Sequence, residues 1–214
     1  MAQRASLRAF RLGYNQDWDN YYFAKNKREN LELIKKVKVV RDHFYSRWQR
    51  NIAQLKIELT DQLLFLKVYV ADTTIILGEN NQNLEKTLQE LYRTLQDKQT
   101  KVDLELVKVR NIYANAQLIS NMVAERLEKR LSSGKVVKFF VEKALEEQEV
   151  RGVQIKIGGR LDGAEMTREK KVTRGKIPLN EKDIWVEEGK SEAIITKGKI
   201  GIKVLIYKGK FWKH

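Results

Sequence analysis

The chain has 214 residues, room for one large domain or two small ones, and its 42% apolar content suffices for packed cores. Forty-two Lys plus Arg face 28 Asp plus Glu, leaving a net charge of +14, and charged residues reach 33% where a typical globular chain has roughly 25%. That excess favours a polyanionic partner. The absence of Cys excludes disulfides, thiolate metal sites and a Cys nucleophile, and His43 and His214 alone exclude a His-rich metal site. No cofactor and no metal are expected.

No stretch approaches the roughly 18 consecutive apolar residues of a membrane span, since the best run, residues 63–71, carries Lys67. No membrane-spanning helix is predicted. The start is Arg-rich and free of acids up to Asp17, which superficially suits a transit peptide, but it lacks clear amphipathic periodicity and is read as an arm.

Helix-like sequence follows over residues 25–50, where Leu31, Ile34, Val37 and Phe44 recur among Lys and Arg. Residues 54–60 and 63–71 alternate with period two and predict half-buried strands, joined by a short Asp61-Gln62 turn. A brief apolar turn, Ile75-Ile76-Leu77, leads into Gly78-Glu79-Asn80-Asn81. Leu84, Leu88, Leu91 and Leu95 then fall at i, i+4, i+7 and i+11, the clearest helix in the chain. Alternation returns over residues 101–109. Two helices follow, one on Ala116, Ile119, Val123 and Leu127 and one on Val137, Phe140, Ala144 and Leu145, separated by Ser132-Ser133-Gly134. Beyond residue 150, where most of the 12 glycines lie, Ile155 and Ile157, residues 194–196 and residues 200–206 read as strands.

The order helix, strand, strand, short helix, turn, helix, strand resembles the type II KH fold, an RNA-binding module whose GxxG turn holds backbone nucleotides. Residues 157–180 and 198–210 are similar to the C-terminal domain of the universal small-subunit ribosomal protein S-three family. The opening Gln3 and Arg4, the run Phe10-Arg11-Leu12-Gly13, and Asp17-Trp18 with Tyr21-Tyr22 resemble that family's N-terminus in its mitochondrial, organelle-encoded version. The fold class implied is α+β: an N-terminal arm (1–23), a degenerate type II KH domain (24–110) and a two-layer C-terminal domain (111–214) with a mostly antiparallel sheet.

The resemblance implies a non-enzymatic constituent of the small ribosomal subunit that binds ribosomal RNA of the head. It implies a contribution to the channel through which messenger RNA enters, with ribosomal proteins S-ten and S-fourteen as neighbours and S-four and S-five near the channel. The alternative is a free KH-type RNA-binding regulator. Two departures qualify the match. The turn Gly78, Glu79, Asn80, Asn81 has Glu where the family's turn is basic and Asn where its last Gly stands, so it is expected not to grip phosphates. The family's Arg, Arg, Lys channel cluster aligns with Gly134, Lys135 and Lys138, leaving Lys135 and Lys138 as the expected messenger-RNA residues.

The remaining candidates are cations. Arg4, Arg8 and Arg11, interleaved with Phe10, Tyr14, Trp18, Tyr21 and Tyr22, are expected to thread between phosphates and to be ordered by RNA; a disordered tail is the plain alternative. Arg151, Arg160, Arg168, Lys170, Lys171 and Arg174 cluster among glycines that let a sugar-phosphate chain approach, against the alternative of a solvated basic face. Asp162, Glu165 and Glu169 are hemmed by Arg160, Arg168 and Lys170, which keep them ionised and unsuited to acid catalysis. Asp162 also stands where the family has Gly. His43 reads as a surface or core residue, and Gly78 lacks a Walker-type Lys-Ser or Lys-Thr. Lys outnumbering Arg 27 to 15, a single Pro178, and a family-like opening close to Met1 together favour a mitochondrial ribosome, with plastid or bacterial cytoplasm as alternatives.

Overall fold

The computed structural model describes residues 6–60, 63–78, 82–95 and 101–210. The expectations on Arg4, on the Asp61-Gln62 turn, on Glu79, Asn80 and Asn81, and on His214 lie outside the described residues. The chain divides into two compact units: Trp18–Arg110, and the stretch from Asn111 onward together with the chain's beginning up to Asp17. The short opening helix α1 (Leu7–Arg11) thus belongs with the second unit.

In the first unit a four-stranded sheet runs β1 (Asn20–Tyr22), β2 (Ile52–Leu59), β3 (Leu63–Val70), β4 (Lys101–Lys108) in spatial order. β2 and β3 pair antiparallel, while β1 joins β2 and β4 joins β3 in parallel. The helices are α2 (Lys27–Trp48), α3 (Thr74–Leu77) and α4 (Gln82–Leu95), in the chain order the alternation and spacing predict. The Glu29 carboxylate accepts from the Lys25 and Asn26 N–H groups and so satisfies donors that the start of α2 leaves open. Val37, Val40 and Phe44 of α2 and Leu91 of α4 share a core with Leu55, Ile57, Leu66 and Val68. The apolar stripe of α2 is buried only in its second half: Leu31 and Ile34 remain 53% and 41% exposed.

In the second unit, α5 (Ala116–Glu128) and α6 (Ser133–Glu146) cover one face of a sheet whose spatial order is β6 (Arg168–Gly175), β5 (Gly152–Gly159), β8 (Gly198–Lys210), β7 (Ile184–Ile195). Every pairing in it is antiparallel. Asn115 caps α5 by accepting from the N–H groups of Gln117 and Leu118 at 3.0 and 3.1 Å. Gly189 of β7 passes so close to the start of α5 that any Cβ there would collide with the Ala116 carbonyl. The core joins Val123, Leu127, Val137 and Phe140 to Val153, Ile155, Ile157, Val204 and Ile206. Two readings need correction. Residues 168–175, read as part of a basic glycine-rich segment, form a strand. β7 starts at Ile184, ten residues before the strand predicted at 194, because Glu187, Glu188 and Gly189 mask its alternation.

The chain's beginning is clasped by protein. Arg11 is completely buried, and its guanidinium donates to the carbonyls of Leu7, Leu179 and Glu181 at 3.1, 3.1 and 2.7 Å. Asn15 donates to the carbonyls of Lys182 and Ile184, Gln16 to that of Val186, and the Tyr14 hydroxyl to Asp183. β7 is an edge strand, so its leading carbonyls have no strand partner on that side, and the arm's side chains supply the missing donors. A second long-range contact starts α6. Asp162, in the left-handed region at φ 52°, accepts from the Ser133 N–H at 2.9 Å and from its hydroxyl at 2.6 Å. These bonds hold the Asp162 carboxyl below its ordinary pKa of 3.8.

Replacing Arg11 with Ala is expected to destabilise the second unit by roughly 2–4 kcal/mol, because three carbonyls lose a charged donor. Hydrogen exchange should accelerate in β7 and β8 and stay unchanged in β2 and β3; equal acceleration in both sheets would contradict the clasp. Asp162→Asn keeps the tolerance for left-handed backbone and removes the charge, so near neutral pH it should cost about 0.5–1 kcal/mol. A depressed carboxyl pKa stabilises above its unfolded value and ceases to do so as pH falls through the folded one. The stability gap between wild type and Asp162→Asn is therefore expected to close below about pH 4, as denaturant titrations at several pH values would read out.

Candidate nucleic-acid interface

Strand pairing decides which cations of the second unit stand together. Side chains alternate across a sheet, and Val153, Ile155 and Ile157 of β5 point into the helix-covered core. Their partners on β6 are Arg174, Val172 and Lys170, and Gly159 faces Arg168. Arg168, Lys170 and Arg174 therefore lie on the helix-side face of the edge strand β6, while Lys171, opposite Lys156, lies on the other face. The expected single cluster of cations is divided by the sheet. Arg168, Lys171 and Arg174 are exposed, and Lys170 is half-buried.

The half-burial of Lys170 has a specific cause. Its Nζ stands where a side chain on Gly134 would begin, 2.5 Å from an ideal Cβ at that residue. Gly134 lies in the first turn of α6, beside exposed Lys135 and one turn from exposed Lys138. An ammonium arriving from β6 thus occupies the place at which the S-three resemblance implies an Arg. Asp162, which anchors the same helix start, feels Lys170 as one of the influences lowering its pKa, after its bonds to Ser133. The residue that departs from the family's Gly is thereby part of the scaffold under this cation group.

Other expected contacts have protein partners. Arg11 is withdrawn from any RNA surface by the clasp, and desolvation lowers its pKa. This corrects the expectation of a phosphate-threading Arg11: a guanidinium with no exposed surface has no access to an external anion. Arg8 donates to the Asp17 carbonyl at 3.2 Å, and Arg160 closes its own turn by donating from Nε to the Ala164 carbonyl at 3.0 Å. Arg151 is exposed and lies across Gly209 of β8, with its Nε 3.2 Å from where a Cβ would stand. Phe10, Tyr14, Trp18, Tyr21 and Tyr22 keep between 37% and 59% of their surface exposed. Gly78 ends α3 with φ 68°, a conformation for which glycine is suited.

Three lysines that sequence reasoning did not select join Lys171 on its face. Lys156, Lys203 and Lys190 follow it in consecutive cross-strand positions. The sequence carries only a weak sign of them: Lys156 and Lys203 are polar positions between buried Ile or Val, and Lys190, between Gly189 and Ser191, lacks even that. Near His43, Arg47 bonds the Glu90 carboxylate, and burial pushes the imidazole pKa down, so His43 belongs to the packing of α2 on α4. Among the described residues no group of three or more metal-ligating side chains comes together, and no helix is long and apolar enough to cross a membrane.

The family domain described as "Ribosomal protein S3, C-terminal domain" matches residues 123–206, the stretch that carries α6 and most of the antiparallel sheet. The chain is 31% identical over 209 residues to the small ribosomal subunit protein uS3 of Caldicellulosiruptor saccharolyticus, covering 98% of this chain and 93% of that one. It is also 31% identical over 210 residues to the uS3 proteins of Desulforamulus reducens and Carboxydothermus hydrogenoformans, covering 98% of this chain and 93% and 92% of theirs. The match runs through both units, and with it the chain belongs to the ribosomal protein S3 family, a family of structural proteins and not of enzymes.

Proposed function

We propose that this chain is a constituent of the small ribosomal subunit that anchors ribosomal RNA of the head through its second unit and presents a cation group to messenger RNA. Family membership over 98% of the chain carries the first part. The position of the Lys170 ammonium over Gly134, beside Lys135 and Lys138, supports the second. Lys135 and Lys138 are three apart on one helix and so share a face. Together the three ammonium groups supply charge without the stacking plane of Arg, which suits an ionic hold on phosphates with little base discrimination. Exposed Arg151, Arg168 and Arg174 are the further anchors, along with Lys171 and the outer portions of Arg8 and Arg160; Arg4 stays an expectation of the sequence. The turn Gly78, Glu79, Asn80, Asn81 is read as lacking a phosphate grip, since Glu79 repels the anion, and this weighs against a free KH-type regulator.

The neighbours in this reading are ribosomal proteins S-ten and S-fourteen, with S-four and S-five near the messenger-RNA channel. The compartment we favour is the mitochondrion. Lys codons are AT-rich and Pro codons are not, and the chain's 27 Lys, 15 Arg and one Pro fit an AT-rich organelle genome. Plastid and bacterial ribosomes are the other homes this composition allows.

The tagged chain is expected to cosediment with small subunits through a high-salt gradient, in the mitochondrial fraction of cells that possess one; recovery only in the free-protein fractions would overturn the ribosomal reading. Replacing Arg168, Lys170 and Arg174 together with Gln should flatten the dependence of log affinity on log salt by about two units, at roughly 0.7 per single-strand phosphate contact. In reconstituted subunits, Lys135→Ala with Lys138→Ala and Lys170→Ala should slow translation of hairpin-containing messages more than of unstructured ones. Equal slowing of both would reduce the cation group to a solvated helix start.

A further inference from the structure

The face of the second sheet that turns away from α5 and α6 carries two adjacent cross-strand rows of unusual composition. One row reads Lys171, Lys156, Lys203, Lys190 across β6, β5, β8 and β7. The next reads Glu169, Gly158, Gly201, Glu192 in the same strand order. Like charges directly opposite one another destabilise a sheet, and here three consecutive pairs are Lys facing Lys. The carboxylates offset this in part. Glu169 pairs with Lys156 at 2.7 Å, Glu188 with Lys203 and Lys190 at 2.6 and 3.2 Å, and Glu192 with Lys199 at 3.0 Å. Five ammonium groups (Lys156, Lys171, Lys190, Lys199 and Lys203) thus share the face with three carboxylates, and Lys171 has no ion pair among the described residues.

The glycines are equally unexplained from within. A Cβ on Gly158 would meet nothing within 4 Å, and one on Gly201 nothing closer than the Gly158 carbonyl oxygen at 3.9 Å. Neither has the positive φ that favours glycine. Glycine inside a strand weakens it and marks a bulge, a tight bend, or the close approach of a ligand or another backbone, and the pairing at Gly158 and Gly201 shows no bulge. What the two opposed glycines provide is a floor without side chains beside a row of cations.

We infer that this face is an RNA-binding surface in its own right, on which a sugar-phosphate backbone lies with its phosphates along the lysine row and its riboses over Gly158 and Gly201. The inference rests on the reading of the chain as an RNA-binding constituent of the small subunit. The residual positive charge selects a polyanion. Glu169 and Glu192, at the two ends of the glycine row, are acceptors suited to ribose hydroxyls, the feature by which RNA differs from DNA. The like-charge cost within the free protein is relieved when phosphates replace condensed counterions.

The test titrates the full chain with a transcript of small-subunit ribosomal RNA from its own organism over a range of salt. Gly158→Val with Gly201→Val is expected to leave the melting temperature unchanged or raised and to weaken binding about tenfold or more; Gly158→Ala alone is the milder variant if the pair does not fold. Lys156→Gln with Lys171→Gln and Lys203→Gln should flatten the salt slope by about two units, at roughly 0.7 per contact. Unchanged affinity and slope in folded variants would overturn the inference. So would unchanged RNA binding with lost cosedimentation, which would assign the face to a neighbouring protein. Failure of the wild-type chain to bind the transcript or to cosediment would instead strike the functional reading on which the inference rests.

Discussion

The buried Arg11 guanidinium is the constraint around which the second unit is arranged. A charge with no exposed surface is expensive unless its donors are met; the two terminal nitrogens of Arg11 meet carbonyls, those of Leu179 and Glu181 lying about 170 positions away in the chain, while its Nε has no partner among the described residues. Those carbonyls belong to the segment leading into β7, whose outer edge would otherwise present unpaired acceptors. The arm therefore closes a sheet edge with side chains instead of a strand. Because the stretch up to Asp17 and the stretch from Asn111 onward enter one unit, Trp18–Arg110 is an insertion in the sequence of that unit.

A chain with a net charge of +14 has to keep its cations from opposing folding. It does so by several routes in the second unit. Arg11 and Arg160 bond backbone carbonyls, and Arg126 lies over the Phe139 and Phe140 rings at 4.2 and 4.7 Å. Lysines on the open sheet face share carboxylates, with Glu188 held between Lys190 and Lys203 and its pKa lowered by them against the opposing pull of burial. Cations left without such partners are the ones that the proposed RNA contacts would neutralise. Among the described residues they include Lys135 and Lys138 at the start of α6, Arg168, Lys170 and Arg174 on the helix-side face of β6, and Lys171 on the opposite face of the same sheet.

Much of this was legible in the residues. The leucines of α4, the alternation of β2 and β3, and the apolar spacings of α5 and α6 follow from periods that a helix or strand imposes on any half-buried segment. The early half of β7 was not legible, because Glu187 and Glu188 are adjacent and both partly buried, each held by lysines of β8 that only pairing brings near. Strand β6 was hidden for a related reason. As an edge strand it buries little, so its sequence, Arg-Glu-Lys-Lys-Val-Thr-Arg-Gly, shows no apolar period.

The sequence by itself determined the α+β class, the cationic character, the exclusion of thiolate and His-rich metal chemistry, and the resemblance that family membership bears out. These depend on composition and on patterns local to a helix or strand. The tertiary structure alone decided which cations are neighbours. Register sends Lys170 and Lys171, adjacent in sequence, to opposite faces of one sheet, and brings the first over Gly134 and the second into a row with Lys156. A shift of one residue in that pairing would exchange the two. Nothing in the order of residues states a register; it is set by which side chains the core accepts when the strands meet.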